Sequence, residues 1–177
     1  SDLLSQAEHG ADSQVILVSD SKELIKNVSN EIQKQLKELT RKDIAEKALA
    51  NSKAILIEDV DEAFDLINNY GPEHLIISTK NDAFFVDNIE NVGSVFIGKY
   101  TPESAGDYAS GTNHTLPTNG FSKSYSGVNL DSFTKSITFQ KISKQGLKNI
   151  GNAIEIMAAA EGLDAHKKAV TIRLKDL

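Results

Sequence analysis

The sequence predicts an α/β fold, and three features carry that expectation. Val15-Ile16-Leu17-Val18, Ala54-Ile55-Leu56-Ile57, Leu75-Ile76-Ile77 and Ser94-Val95-Phe96-Ile97 are apolar runs of buried-strand length. The segments between them carry apolar residues at helical spacing, and two of those segments open on acidic pairs with capping spacing, Asp20/Glu23 and Asp59/Glu62. Strands that alternate with helices pair in parallel, because a parallel pair needs a crossover. The expected architecture is partial and Rossmann-like: a mostly parallel sheet flanked by helices, ending in a helical C-terminal tail.

Taken in order, the first strand is followed by a helix that places Leu24, Ile25, Val28, Ile32, Leu36 and Leu39 on one face. A shorter helix spans Lys42 to Leu49. After the second strand, Ala63, Leu66 and Ile67 fit an amphipathic helix, and a short helix near Asp82 to Asn88 separates the third and fourth strands. From Gly98 to Gly127 the texture turns polar and rich in turn residues, as in Gly111-Thr112-Asn113-His114 and Pro117-Thr118-Asn119-Gly120. A loop of this length inside a compact domain is usually functional or disordered, and its varied composition favours function. Ile137 to Ile142 alternates like an edge strand. Leu147, Ile150, Ile154 and Met157 then trace a helix that Gly162 ends, and Leu163 to Lys175 forms a last helix.

Composition narrows the chemistry. The 177 residues carry a net charge of −6, which argues against a grip on nucleic-acid phosphates. The apolar runs are too short to span a membrane. The first residues lack the basic and apolar segments of a secretion signal, so a cytoplasmic location is expected. There are no cysteines, which removes disulfides, thiolate metal sites and a cysteine nucleophile. Any metal must be held by histidine, carboxylate or amide groups, and only four histidines exist. No Gly-x-Gly-x-x-Gly turn follows a strand, and there is no P-loop.

Four stretches carry candidate chemistry. Gln6 and His9, three apart, sit on one helical face within reach of one ion, although polar pairs at this spacing also decorate solvated faces. In Gly71-Pro72-Glu73-His74-Leu75 the turn holds a carboxylate beside an imidazole at a strand edge, which is either a general acid/base pair or an exposed turn. Asp107 offers a hard oxygen ligand and His114 a group to orient a substrate, while turn chemistry accounts equally for such residues. His166, among lysines near Glu161, reads as surface or as a ligand.

Together these motifs resemble the histidinol dehydrogenase family. Leu4-Ser5-Gln6-Ala7-Glu8-His9-Gly10 resembles its zinc helix. Gly71-Pro72-Glu73-His74-Leu75 and Gly93-Ser94-Val95-Phe96 resemble its catalytic loop and the strand after it. Gly106-Asp107-Tyr108, Gly111-Thr112-Asn113-His114, Leu116-Pro117-Thr118 and Gly120 resemble its long active-site loop. Glu161-Gly162-Leu163, Ala165-His166 and Ala169-Val170 resemble its C-terminal tail. The resemblance implies zinc ligands Gln6, His9, Asp107 and His166, and an acid/base pair Glu73 and His74. It implies a substrate, L-histidinol, surrounded by Gln6, His9, His74, Asp107, His114, Glu161 and His166. It also implies two NAD-dependent oxidations to L-histidine, with zinc and NAD as cofactors.

By the same resemblance the enzyme is a homodimer in which Glu161 and His166 complete the partner's site. Residues 1–127 then form part of the zinc-binding catalytic α/β domain, 128–153 a connecting strand and helix, and 154–177 an exchanged helical tail. The family's chains are more than twice as long, so the chain is expected to be a catalytic-half fragment. It would lack the N-terminal half, which supplies most NAD contacts, and be inactive alone. The alternative is a non-catalytic dimerising module derived from the same fold.

Overall fold

The computed structural model describes residues 1–177, which divide into two compact units, Ser1–Thr134 and Lys135–Leu177. Eight α-helices and four short strands make up the chain. No helix is long and apolar enough to cross a membrane.

The first unit begins with α1 (Asp2–Ala7), which buries Leu4 and Ala7. These two side chains join Leu36, Ala45 and Ala48 in a small core, with Ile32, Leu39 and Leu49 packed around it. The core ties α1 to α2 (Lys22–Gln35), to the 3₁₀ turn Leu36–Glu38 and to α3 (Lys42–Ala50). Alanines at the α1–α3 contact allow the helices to approach closely. The end of α1 is thereby held in place, although the helix itself is too short to be stable alone.

Strands β1 (Ile16–Ser19) and β2 (Lys53–Leu56) pair in parallel, with α2 and α3 forming the crossover. Ser21, not Asp20, caps α2: its side chain accepts from the Leu24 amide at 3.2 Å. Asp59 caps α4 (Val60–Tyr70) as expected, accepting from the amides of Asp61 and Glu62.

The second parallel pair is β3 (His74–Ile77) with β4 (Ser94–Ile97), joined through α5 (Asp82–Val86). The two pairs are separate two-stranded ladders. The polar stretch 98–127 is not all loop: it contains α6 (Glu103–Tyr108) and a 3₁₀ turn at Phe121–Lys123.

Two glycines set the entry to β3. Gly71 ends α4 in the left-handed region at φ 64°, where other residues are strained. Gly93 lies so close to the opposite backbone that a Cβ there would stand 2.5 Å from the Glu73 carbonyl oxygen. The amides of Gly93 and Ser94 donate to the carbonyls of Pro72 and Glu73 at 3.0 and 2.9 Å, clamping the turn before His74. Gly93→Ala is therefore expected to force β4 off this turn and to cost about 1–3 kcal/mol of stability, the usual range for overpacking. Chemical denaturation checks it, and an unchanged midpoint would contradict the close approach.

The second unit is a helical hairpin of α7 (Lys144–Ala160) and α8 (Asp164–Lys175). Gly162, at φ 71°, ends α7. The Leu163 amide reaches the Ala158 carbonyl at 2.8 Å and the Gly162 amide the Ala159 carbonyl at 3.1 Å, the bond pair of a Schellman ending. Gly151 admits α8: a Cβ there would stand 2.8 Å from the Leu174 side chain. Residues 137–142, expected as an edge strand, form none, since all four strands lie between residues 16 and 97. Alternation is a necessary mark of a strand, but a ladder also needs a partner edge. Phe139 accordingly stands 89% exposed.

Candidate active site

Three elements of the first unit bring polar side chains to one place. The turn into β3 supplies Glu73 and His74. The short helix α6 supplies Glu103 and Asp107, four apart and so on one face. The end of α1 supplies Ser5 and Gln6, with His9 just beyond. Gln6 is helical, whereas His9 follows the C-cap Glu8, and its amide bonds back to the Gln6 carbonyl at 3.2 Å. A tightened final turn, rather than a continuous helix, thus relates the two residues.

His74, Glu103 and Asp107 form the tightest group, their ligand-type atoms all within 4.8 Å of one another. Glu103 is the most completely buried polar side chain, at 2% exposure. Its Oε2 accepts from Ser5 Oγ at 3.2 Å. Its Oε1 has no hydrogen-bond donor and lies 3.8 Å from His74 Nε2. The His74 ring is 5.8 Å from that of Phe96 on β4. Phe96 in turn packs against Gly106, where a Cβ would stand 2.8 Å from its ring. Gly106 therefore lets α6 lie close enough to β4 for its two carboxylates to reach the imidazole.

Glu73 belongs to the same field of charge. Burial pushes its carboxyl above the ordinary carboxylate value. The imidazoles of His74 and His9 pull it down, while Asp107 and Glu103 push it up. A half-buried carboxyl shaped by two imidazoles and two acids fits acid/base work. Gln6 adds a further signal: its Nε2 is buried and without a partner. A buried amide left unpaired is costly, and its oxygen and nitrogen are interchangeable by a flip. The Gln6 amide is thus free to turn its oxygen to an incoming ion.

Of the residues singled out from the sequence, Glu73, His74, Asp107 and His9 share this charge field, and Gln6 lies on the adjoining turn of α1. His114 is exposed, in a turn where Asn113 Oδ1 accepts from the Thr115 amide at 2.7 Å. Glu161 and His166 stand exposed on the second unit, at the C-cap of α7 and within α8. Sequence reasoning missed Glu103. Its only mark there is its spacing of four from Asp107.

The donor set of nitrogen and oxygen groups suits a divalent ion such as zinc. Around Asp107 the ligand-type atoms that lie together are those of His74, Glu103 and Asp107, and an ion among them would occupy the imidazole. The set of Gln6, His9 and Asp107 that the resemblance implies would leave His74 free.

The family model described as histidinol dehydrogenase matches residues 1–174. The curated histidinol dehydrogenase of Bacteroides fragilis (strain YCH46) is 62% identical over 176 residues, 99% of this chain and 41% of the relative. That of Vibrio vulnificus (strain YJ016) is 54% identical over 176 residues, with the same coverage of 99% and 41%. The crystal structure of histidinol dehydrogenase from Elizabethkingia anophelis superposes with a TM-score of 0.93 at 54% identity, covering 99% of this chain and 40% of that one. The chain spans about two fifths of the length of the relatives it matches.

Proposed function

The chain belongs to the histidinol dehydrogenase family, and on that premise we propose that it forms the zinc-binding, acid/base part of an enzyme oxidising L-histidinol to L-histidine. The observation that carries the reading is the convergence of Glu73 and His74 on Asp107, beside the end of α1 that bears Gln6 and His9. Gln6, His9 and Asp107 are the zinc ligands. His166 is the fourth and comes from the second subunit of a homodimer, with Glu161 alongside the substrate. The unpaired Gln6 amide and the position of His9 and Asp107 in one charge field support this set. It also leaves His74 its proton-accepting nitrogen.

Zinc held by these residues would supply a template for the substrate's amine and imidazole, and NAD would supply the hydride acceptor for each oxidation. The protein's own groups handle protons. His74 takes the proton of the primary hydroxyl, so that the carbon releases its hydride as the aldehyde forms. Glu73 removes a proton from the water that adds to that aldehyde, and loss of a second hydride from the hydrate yields the acid. One alcohol, one water and two oxidised acceptors thus give one acid, two reduced acceptors and protons. Activated water is the simplest route in a chain without cysteine. His114 lies on the loop that borders the substrate.

The raised Glu73 carboxyl has a consequence for pH. In the metal-free protein it is expected to titrate above the ordinary carboxylate range, and zinc is expected to lower it, because a nearby cation favours the charged form. Above the unfolded value, ionising this group works against the fold, so metal-free stability falls slightly as pH rises through that interval. Carboxyl carbon NMR with and without zinc checks both signs. A titration at the ordinary value would contradict the burial.

The 177 residues by themselves are expected not to turn over, because hydride transfer needs a bound acceptor and no phosphate-cradling glycine turn follows a strand. Zinc titration with a chelator control tests the reading itself. Stoichiometric uptake supports it, and no uptake favours a dimerising module without catalysis.

A further inference from the structure

Glu103 has no place in the mechanism above, yet it is the most deeply buried ionisable group in the first unit. We propose that Glu103 is a positioning residue for His74: its carboxylate fixes the imidazole's tautomer and offsets the positive charge that His74 gains when it takes the substrate's proton. This inference rests on the reading of His74 as the base. Glu103 is 2% exposed, so its carboxylate has lost its water and needs compensation from the protein. Ser5 Oγ supplies one hydrogen bond to Oε2 at 3.2 Å. Oε1 has no donor and faces His74 Nε2 at 3.8 Å.

The groups around the pair leave Glu103 that role. Neither Glu73 nor Asp107 makes a hydrogen bond to Oε1. His9 lies toward Glu73 and, as a zinc ligand, is committed to the ion. Phe96 closes one side of the imidazole with an apolar ring. The side chain of His74 is 12% exposed, which restricts water as a substitute partner. With Nε2–H directed at Glu103, the other ring nitrogen is bare and free to accept the hydroxyl proton. No proton passes to Glu103: the Nε2–H stays on the ring throughout, and the carboxylate stabilises the imidazolium by charge and orientation.

Ser5 gives the arrangement a second function. It precedes Gln6 on α1, so Glu103 bridges the metal-binding turn and the base through its two oxygens. The base is thereby held in register with the site that orients the substrate.

Glu103→Gln keeps the shape and an oxygen for Ser5 but removes the charge. In the holoenzyme it is expected to lower kcat by about 10–100-fold, with KM, zinc content and melting temperature little changed. Combined with His74→Asn, it is expected to cost nothing further, because Glu103 acts through the imidazole. A merely structural glutamate would cost the same in both backgrounds, and that result would overturn the proposal, as would a normal kcat for the single variant. Nitrogen NMR of the unmodified enzyme needs no variant: a His74 protonated at Nε2 is expected, and a stable Nδ1–H form would overturn it. Failure of the parent reading looks different, since His74→Asn alone would then leave the turnover of the full-length enzyme near normal.

Discussion

Replacement of His74 by asparagine in a full-length enzyme that carries this segment is expected to lower kcat by roughly 10²–10⁴-fold, the range for losing a positioned general base. Zinc content should be unchanged, because His74 stands outside the proposed ligand set. The reasoning runs from position: His74 opens β3, its backbone is registered against Ser94, and its ring is enclosed by Phe96 and Glu103. Asparagine preserves the strand and much of the polarity but cannot accept a proton. Steady-state kinetics with a parallel metal assay check the prediction. Loss of zinc together with activity would instead assign the imidazole to the metal, in the grouping it makes with Glu103 and Asp107.

Removal of the Asp107 carboxylate should have an effect at least as large, through a different cause. Asp107→Ala takes away the one group common to both possible metal groupings and the only carboxylate in the proposed zinc set. Zinc affinity is expected to fall by at least 100-fold, on the order of the larger losses that follow disruption of a metal site's supporting groups. Turnover should fall with it at limiting zinc and recover in part when zinc is raised. The Glu73 carboxyl should move down in the metal-free variant, since the charge of Asp107 is one of the forces holding it up. Zinc titration of the variant and the carboxyl NMR signal of Glu73 provide independent checks. Zinc affinity equal to the parent's would place the ion away from Asp107.

The two predictions separate the base from the ligand, a separation only partly legible in the sequence. The strands were legible because apolar runs of three or four residues bounded by turn signals have few other uses. All four form within a residue of their expected positions. The caps were legible at Asp59 but shifted at Ser21, where two adjacent polar residues compete for the same role. The turn before His74 was legible from Gly71-Pro72, while the reason for Gly93 appears only when its neighbour across the ladder is known.

Helix α6 was not legible. Its six residues include a glycine and two acids, a composition with no apolar period, and tertiary packing on Phe96 overrides the weak local preference. Glu103 was invisible for the same reason. A glutamate after proline reads as an exposed first-turn residue, and its hydrogen-bond donor, Ser5, lies some hundred positions away in the chain. The segment 137–142 erred in the opposite direction: it has the pattern of a strand but no partner edge among residues 1–177. Sequence pattern reports what a segment can bury, and the neighbours decide whether it does.

The central claim is that Gln6, His9 and Asp107 hold a zinc ion which leaves His74 free as the base. Anomalous diffraction at the zinc edge from crystals of the zinc-loaded protein tests it most directly. The expected result is one peak at bonding distance, about 2.0–2.2 Å, from His9 and Asp107 with the Gln6 amide turned toward it. A peak bonded to His74 and Glu103, or none near Asp107, would contradict it.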